Sequence, residues 1–129
     1  MLRRTAQVMA ALLACHGALA QPEISVVERQ PLALPATSSH RLALTVVHLE
    51  GSGWTRERAH GALREAAMIF AQCDIGFTGV EWVSLSTPAR YLDFYTPAAR
   101  ELARRHPVPR PAVYLVRDTR NRPAFDAEA

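Results

Sequence analysis

Leu42 to Leu49 reads Leu-Ala-Leu-Thr-Val-Val-His-Leu, apolar at consecutive rather than alternate positions and rich in β-branched residues. A strand of that pattern is covered on both faces, as in a parallel or mixed sheet. Glu50-Gly51-Ser52-Gly53 interrupts the run. Ala59, Leu63, Ala66, Ala67, Phe70 and Cys73 then recur at three- and four-residue steps, with Arg56, His60 and Arg64 on the other side. The spacing predicts an amphipathic helix over 55–73, with Thr55 as N-cap and Glu57 in the first turn, where its charge suits the helix dipole. Its alanines let it lie close to whatever it covers.

Asp74-Ile75-Gly76 closes this helix, and Phe77, Val80, Trp82, Val83 and Leu85 predict a second strand over 76–85. Gly79 marks a bulge or a close approach within it. Ser86-Thr87-Pro88 stops the strand, and Tyr91, Leu92, Phe94 and Tyr95 follow as an aromatic cluster without a defined period. Thr96-Pro97 predicts a helix start, with Thr96 as cap and Pro97 at the first helical position, running to about Arg105 with Leu102 and Ala103 inward. Pro107, Pro109 and Pro111 form a stiff connector to a third strand, Ala112 to Val116. Residues 118–129 read as a polar tail. Before the first strand, residues 21–40 carry Pro22, Pro31, Pro35 and a Thr37-Ser38-Ser39 cluster, and read as a leader or linker in which Val26-Val27 allows a short edge strand.

The expected fold class is α/β: a small three-stranded, mainly parallel β-α-β-α-β sheet with helix cover, spanning residues 41–117. Such a sheet needs cover on both faces and has two edges to protect. Two helices and a proline-rich leader give it little of either, so the expected domain is an incomplete one.

The first twenty residues change where the protein is expected to work. Met1-Leu2-Arg3-Arg4 is a basic start, Val8 to Leu13 an apolar run, and Ala18-Leu19-Ala20 a small-x-small cleavage site. That order predicts a signal peptide over 1–20 and an exported product, periplasmic or extracellular. No apolar run in the sequence is long enough to make a transmembrane segment. Leu12-Leu13-Ala14-Cys15 loosely resembles a lipobox that would lipidate Cys15, but Leu13 fits that pattern poorly and ordinary cleavage is favoured. Arg3-Arg4 lacks the remainder of a twin-arginine motif. Loss of Arg3 and Arg4 lowers the formal net charge from +3 by two, to +1. All 15 basic residues are arginine. The densest group, Arg100, Arg104 and Arg105 beside Arg110, has no interleaved aromatics, which argues against nucleic acid as a partner. Cleavage leaves Cys73 as the sole cysteine, expected to be a buried, inert thiol if the helical stripe reaches that far.

Candidate chemistry is sparse. Glu57 and His60 lie three apart on a helix, and His48 and Glu50 alternate on a strand, but a metal needs three or four converging ligands. Gly51-Ser52-Gly53 before a helix start lacks the third glycine of a dinucleotide loop and the Gly-Lys-Ser/Thr of a P-loop, and reads as a turn. Ser84, Ser86 and Thr87 have no Gly-x-Ser-x-Gly elbow around them. Trp54, Trp82, Tyr91, Phe94 and Tyr95 offer a ligand groove or, more simply, core and half-buried surface.

Leu44-Thr45-Val46-Val47-His48-Leu49, then Gly53-Trp54-Thr55, then Ala66-Ala67-Met68-Ile69-Phe70-Ala71-Gln72-Cys73-Asp74-Ile75 is similar to the start of secreted zincin-type metallopeptidase domains. There a first strand leads to a long helix that ends near a cysteine, and the next strand begins with an Ile-x-Phe-like step. Tyr114-Leu115-Val116 matches a third strand, so the resemblance spans about residues 41–117. The family's chemistry needs His-Glu-x-x-His on a helix, two imidazoles one turn apart to grip zinc and a Glu to activate water. The histidines after the signal are His40, His48, His60 and His106, and none pairs at that spacing. The resemblance therefore implies the amino-terminal part of such a domain, without hydrolytic activity as given. It assigns no catalytic, cofactor-binding or metal-ligating residue, and implies zinc only with a downstream half. The alternative of a different class is a non-enzymatic periplasmic module that binds a protein or peptide through an exposed sheet edge or the aromatic cluster. Oligomeric state and ligand are not legible in the sequence.

Overall fold

A computed structural model describes residues 23–35 and 37–119, so the signal peptide expected over 1–20 and most of the expected polar tail lie outside the described residues. The elements run β1 (Ser25–Leu32), β2 (His40–Leu42), β3 (Thr45–Leu49), α1 (Arg56–Ala71), β4 (Ile75–Phe77), β5 (Val80–Ser86), a 3-10 turn (Ala89–Tyr91), β6 (Asp93–Phe94), α2 (Thr96–Arg105), β7 (Ala112–Leu115) and β8 (Asp118–Thr119). The fold is α/β, with mixed sheets and two helices.

The main sheet has four strands, in the order β1-β5-β3-β7. β5, β3 and β7 are parallel, with Val47 level with Val83 on one side and Tyr114 on the other. From β3 the chain passes through α1 to β5 on one side. From β5 it passes through α2 and steps across β3 to β7. Right-handed crossovers in opposite directions place their helices on opposite faces. Val46, Val80, Trp82 and Leu115 accordingly pack with Ala59 on the α1 face. Val47, Leu49, Val83 and Leu85 pack with Leu102 on the α2 face. The consecutive apolar run of β3 is thus buried from both sides, and Val47, Leu49, Val83 and Leu85 are fully excluded from solvent. Each side chain so buried contributes about 1.5–3 kcal/mol.

The expected three-stranded sheet is corrected to four strands. The segment expected as leader supplies β1, eight residues antiparallel to β5 from Ser25 opposite Ser86 to Leu32 opposite Val80. A register shift between Val26 and Glu28 inserts an extra residue. That bulge breaks the apolar/polar alternation by which a strand is recognised. Pro31 is tolerated because β1 is an edge strand.

The strands expected over 42–49 and 76–85 are each divided between two sheets, into β2 and β3 and into β4 and β5. β4 pairs in parallel with β2 in a separate two-stranded ladder, His40 beside Ile75 to Leu42 beside Phe77. Both chains bend at the same level, at Ala43-Leu44 and Thr78-Gly79, bridged by Thr78 N–H to Leu42 O at 2.9 Å and Glu81 N–H to Leu44 O at 2.9 Å. Gly79 has φ +63°, and a Cβ there would meet nothing closer than Ala43 at 3.9 Å. Backbone handedness, rather than the expected close approach, requires glycine.

Both helices lie within two residues of their expected bounds. Thr55 caps α1 by accepting the Arg58 N–H at 3.2 Å. α2 begins one residue early, with Tyr95 as the cap and Pro97 in the first turn. Two residues of the expected tail, Asp118 and Thr119, form β8 and pair with β6. No helix among the described residues is long and apolar enough to cross a membrane.

Candidate functional site at the open edge of the sheet

β7 is bonded to β3 on one side and has no strand on the other among the described residues. Thr45 N–H donates to Pro111 O at 3.0 Å. Since residues of a parallel ladder alternate in the direction of their hydrogen bonds, Val113 and Leu115 face β3, while the N–H and C=O of Ala112 and Tyr114 point outward. Beside this edge, on the α1 face, runs a groove of about 840 Å³. Its floor is Val46, Val113 and Leu115, and its wall is the Ala59, Ala62, Ala66 stripe of α1 with Leu63 and Phe70. The sheet surface at β7 is left partly uncovered: Val113 is 45% exposed.

The apolar character of α1 outruns its cover. Ala59 is buried, while Met68, Ile69 and Phe70 stand exposed toward the helix C-terminus. The Phe70 ring lies 5.2 Å from that of Phe77 in the outlying ladder. The helical stripe expected to run inward as far as Cys73 stops short. α1 ends at Ala71, and Cys73 N–H donates to Phe70 O at 2.9 Å in the closing turn. Cys73 is therefore an exposed free thiol, which corrects its expected burial. Asp74, at φ 57°, ends the turn. The Ser39 N–H beside its carboxylate holds its pKa below the usual value.

The mouth of the groove is built from Trp54 and Arg58. Trp54 Nε1 donates to Val116 O at 3.0 Å, which fixes the indole across the end of β7. The Arg58 guanidinium lies 4.3 Å from the centre of that ring. Arg117, just beyond, grips the nearly buried Asp93 carboxylate through two bonds of 2.9 Å and so joins β6 to the β7–β8 connection. That ion pair raises the Arg117 pKa further. On the opposite face of the same edge lies a second cavity of about 390 Å³, lined by Ala103, Pro107, Val108, Arg110 and Tyr114. Burial there pushes the Tyr114 phenol pKa up.

The aromatic residues taken together in the sequence are separated by the fold. Trp54 belongs to the groove, Trp82 is buried beneath α1, and Tyr91 packs on the α2 face. Phe94 and Tyr95 are exposed. His48 and Ser84 are neighbours on adjacent strands, with Nδ1 and Oγ 2.8 Å apart. His48 also stacks on Trp82, with centroids 5.0 Å apart. Ser84 is only 5% exposed, on a strand flanked on both sides, so no substrate carbonyl reaches its oxygen. This contact ties the sheet together, and the sequence offers no hint of it, because the two residues are 36 positions apart.

His60 turns to Ala33 O at 3.2 Å, away from any second donor. Among the described residues no three His, Cys, Asp or Glu side chains converge as a metal site. Gly51, at φ +85°, lets Ser52 N–H turn back to Leu49 O at 3.0 Å, so Gly51-Ser52-Gly53 is occupied with closing a turn. In the arginine-rich group, Arg105 pairs with Glu23 and Glu101. Comparison with known proteins returned no match to any family model, curated protein or solved structure.

Proposed function

We propose that the chain is the exported amino-terminal portion of a zincin-like metallopeptidase domain, supplying the sheet and backing helix against which a catalytic helix packs, and not hydrolytic by itself. The observation that carries this reading is the groove beside α1, on the same face of a parallel β5-β3-β7 sheet and next to a strand edge that has no neighbour among the described residues. It has the apolar lining that a second helix would bury, and the alanine stripe of α1 permits the close approach of a helix backbone. The dispersed histidines do not fit zinc, since His48 is turned to Ser84 and His60 to Ala33. No step through a metal is therefore assigned to these residues.

Reading the coding DNA beyond codon 129 in all frames tests the proposal. A His-Glu-x-x-His remnant is expected there. Its absence in every frame would overturn the peptidase reading in favour of a binding module. Export is tested separately: amino-terminal sequencing of the product is expected to begin at Gln21, and a retained Met1 would refute processing.

A further inference from the structure

We infer that the β7 edge accepts an extended peptide strand from another polypeptide, aliphatic on its groove-facing side and acidic at its ends. The inference concerns the chain by itself and competes with the peptidase reading for the groove beside α1, since a helix packed there would exclude the strand's groove-facing side chains. The coding-DNA test bears on that reading and the peptide titration below on this one.

Three observations specify the occupant. The outward N–H and C=O groups of Ala112 and Tyr114 form a short template of two donors and two acceptors, which an added strand satisfies. Cavities flank this template on both faces of the sheet, about 840 Å³ on the α1 side and about 390 Å³ on the α2 side. A strand directs successive side chains to opposite faces, so an added strand places alternate residues in each cavity. A helix laid in the groove would leave both the smaller cavity and the backbone template unused.

Charge then selects among strands. Arg58 lies at the mouth of the larger cavity, whose lining also holds Asp118 close to Arg117, and Arg110 lines the smaller one. Arg58 rests on the face of Trp54, and neither arginine forms an ion pair with a carboxylate among the described residues. The neighbouring Arg117 is already satisfied by Asp93. An incoming strand with a carboxylate toward each end meets two unpaired guanidinium groups, while a strand with basic ends is repelled.

The test uses the full exported chain and a peptide alternating valine with threonine, with a glutamate at each end. Binding is followed by tryptophan emission, since Trp54 forms the groove mouth. The same peptide N-methylated at alternate amides, which keeps its side chains and removes edge pairing, is expected to bind about tenfold more weakly or worse. Exchange of both glutamates for lysine is expected to weaken binding several-fold, more at low salt than at high. Ala112→Pro deletes an outward N–H without touching the β3 ladder, and is expected to abolish binding while far-UV circular dichroism stays unchanged. Should that variant misfold, the double variant Arg58→Glu with Arg110→Glu serves instead, and is expected to prefer the lysine-ended peptide. Equal affinity for the methylated and unmethylated peptides overturns the strand. Failure of the charge exchange to reverse the preference overturns the acidic specification. No response from any peptide up to millimolar concentration overturns the inference as a whole.

Discussion

At one end of the sheet β1 runs antiparallel to β5, carries a bulge and a proline, and lays Arg29 against Glu81 at 2.9 Å. Each of these features discourages another strand from pairing there. Arg56 of α1 reaches across to Glu28 and Gln30, so the helix is fastened to that side. At the other end β7 is four residues long, with an open groove on one face and a cavity on the other. No bulge or charged side chain lies within β7 itself. The contrast teaches that solvent exposure alone does not identify a binding edge. Val26 and Val27 on β1 are as exposed as Val113 on β7, yet only β7 combines an unpaired backbone with flanking hollows.

Substitutions on the covered and uncovered parts of the sheet are expected to differ widely in cost. Leu85 is fully buried on the α2 face between finished elements, and Leu85→Ala is expected to destabilise by about 2–5 kcal/mol in urea titrations. A loss below ~1 kcal/mol would mean the α2 face is as loosely covered as the groove. Arg117→Ala removes the two-bond guanidinium partner of the Asp93 carboxylate, which is only 9% exposed, and is expected to cost about 1–3 kcal/mol. Its removal should also loosen β8, visible as faster amide exchange at Asp118 and Thr119. Thr55→Ala removes the cap of α1 and is expected to cost about 0.5–2 kcal/mol, the helix signal melting in step with the sheet. Val113→Ala, at the open edge, is expected to cost under ~1 kcal/mol, because half of its side chain is already in water. A larger loss would show that something covers the groove in solution.

The smallest effect expected is on acid stability. Glu23 is held below its usual pKa of 4.5 by Arg90, and Asp74 below its usual 3.8 by the Ser39 N–H. Carboxylates depressed in the folded state stabilise it fully above those ordinary values and lose that contribution as pH falls through the lowered folded ones. The paired variant Glu23→Gln with Asp74→Asn is therefore expected to flatten the decline in melting temperature below pH 4.5. An unchanged slope would place the acid sensitivity in other carboxylates.

Much of the architecture was legible locally. The two-sided apolar run at 42–49, the three- and four-residue recurrence over 55–73, the Thr-Pro start of α2 and the run at 112–116 each carry their signal within a few residues. The candidate site was not legible in this way. Val113, Trp54 and Arg58 are unremarkable positions of a strand, a loop and a helix until β7 lands beside β3 as an edge strand of the described residues. Of β1 only the short edge strand at Val26-Val27 is legible, since the bulge breaks the alternation beyond it, and the exposure of Cys73 is not, because a periodic stripe does not reveal where its partner surface ends.

The chain's own periodicity determined which segments become helices and strands and which of their faces seek burial, since those preferences arise between residues one turn or one pleat apart. Strand order, the bulged attachment of β1, the contact of His48 with Ser84 and the place of β7 at the edge of the described sheet belong to the tertiary structure. They depend on which distant segments meet, and on how far two helices of 16 and 10 residues extend over a sheet of four strands.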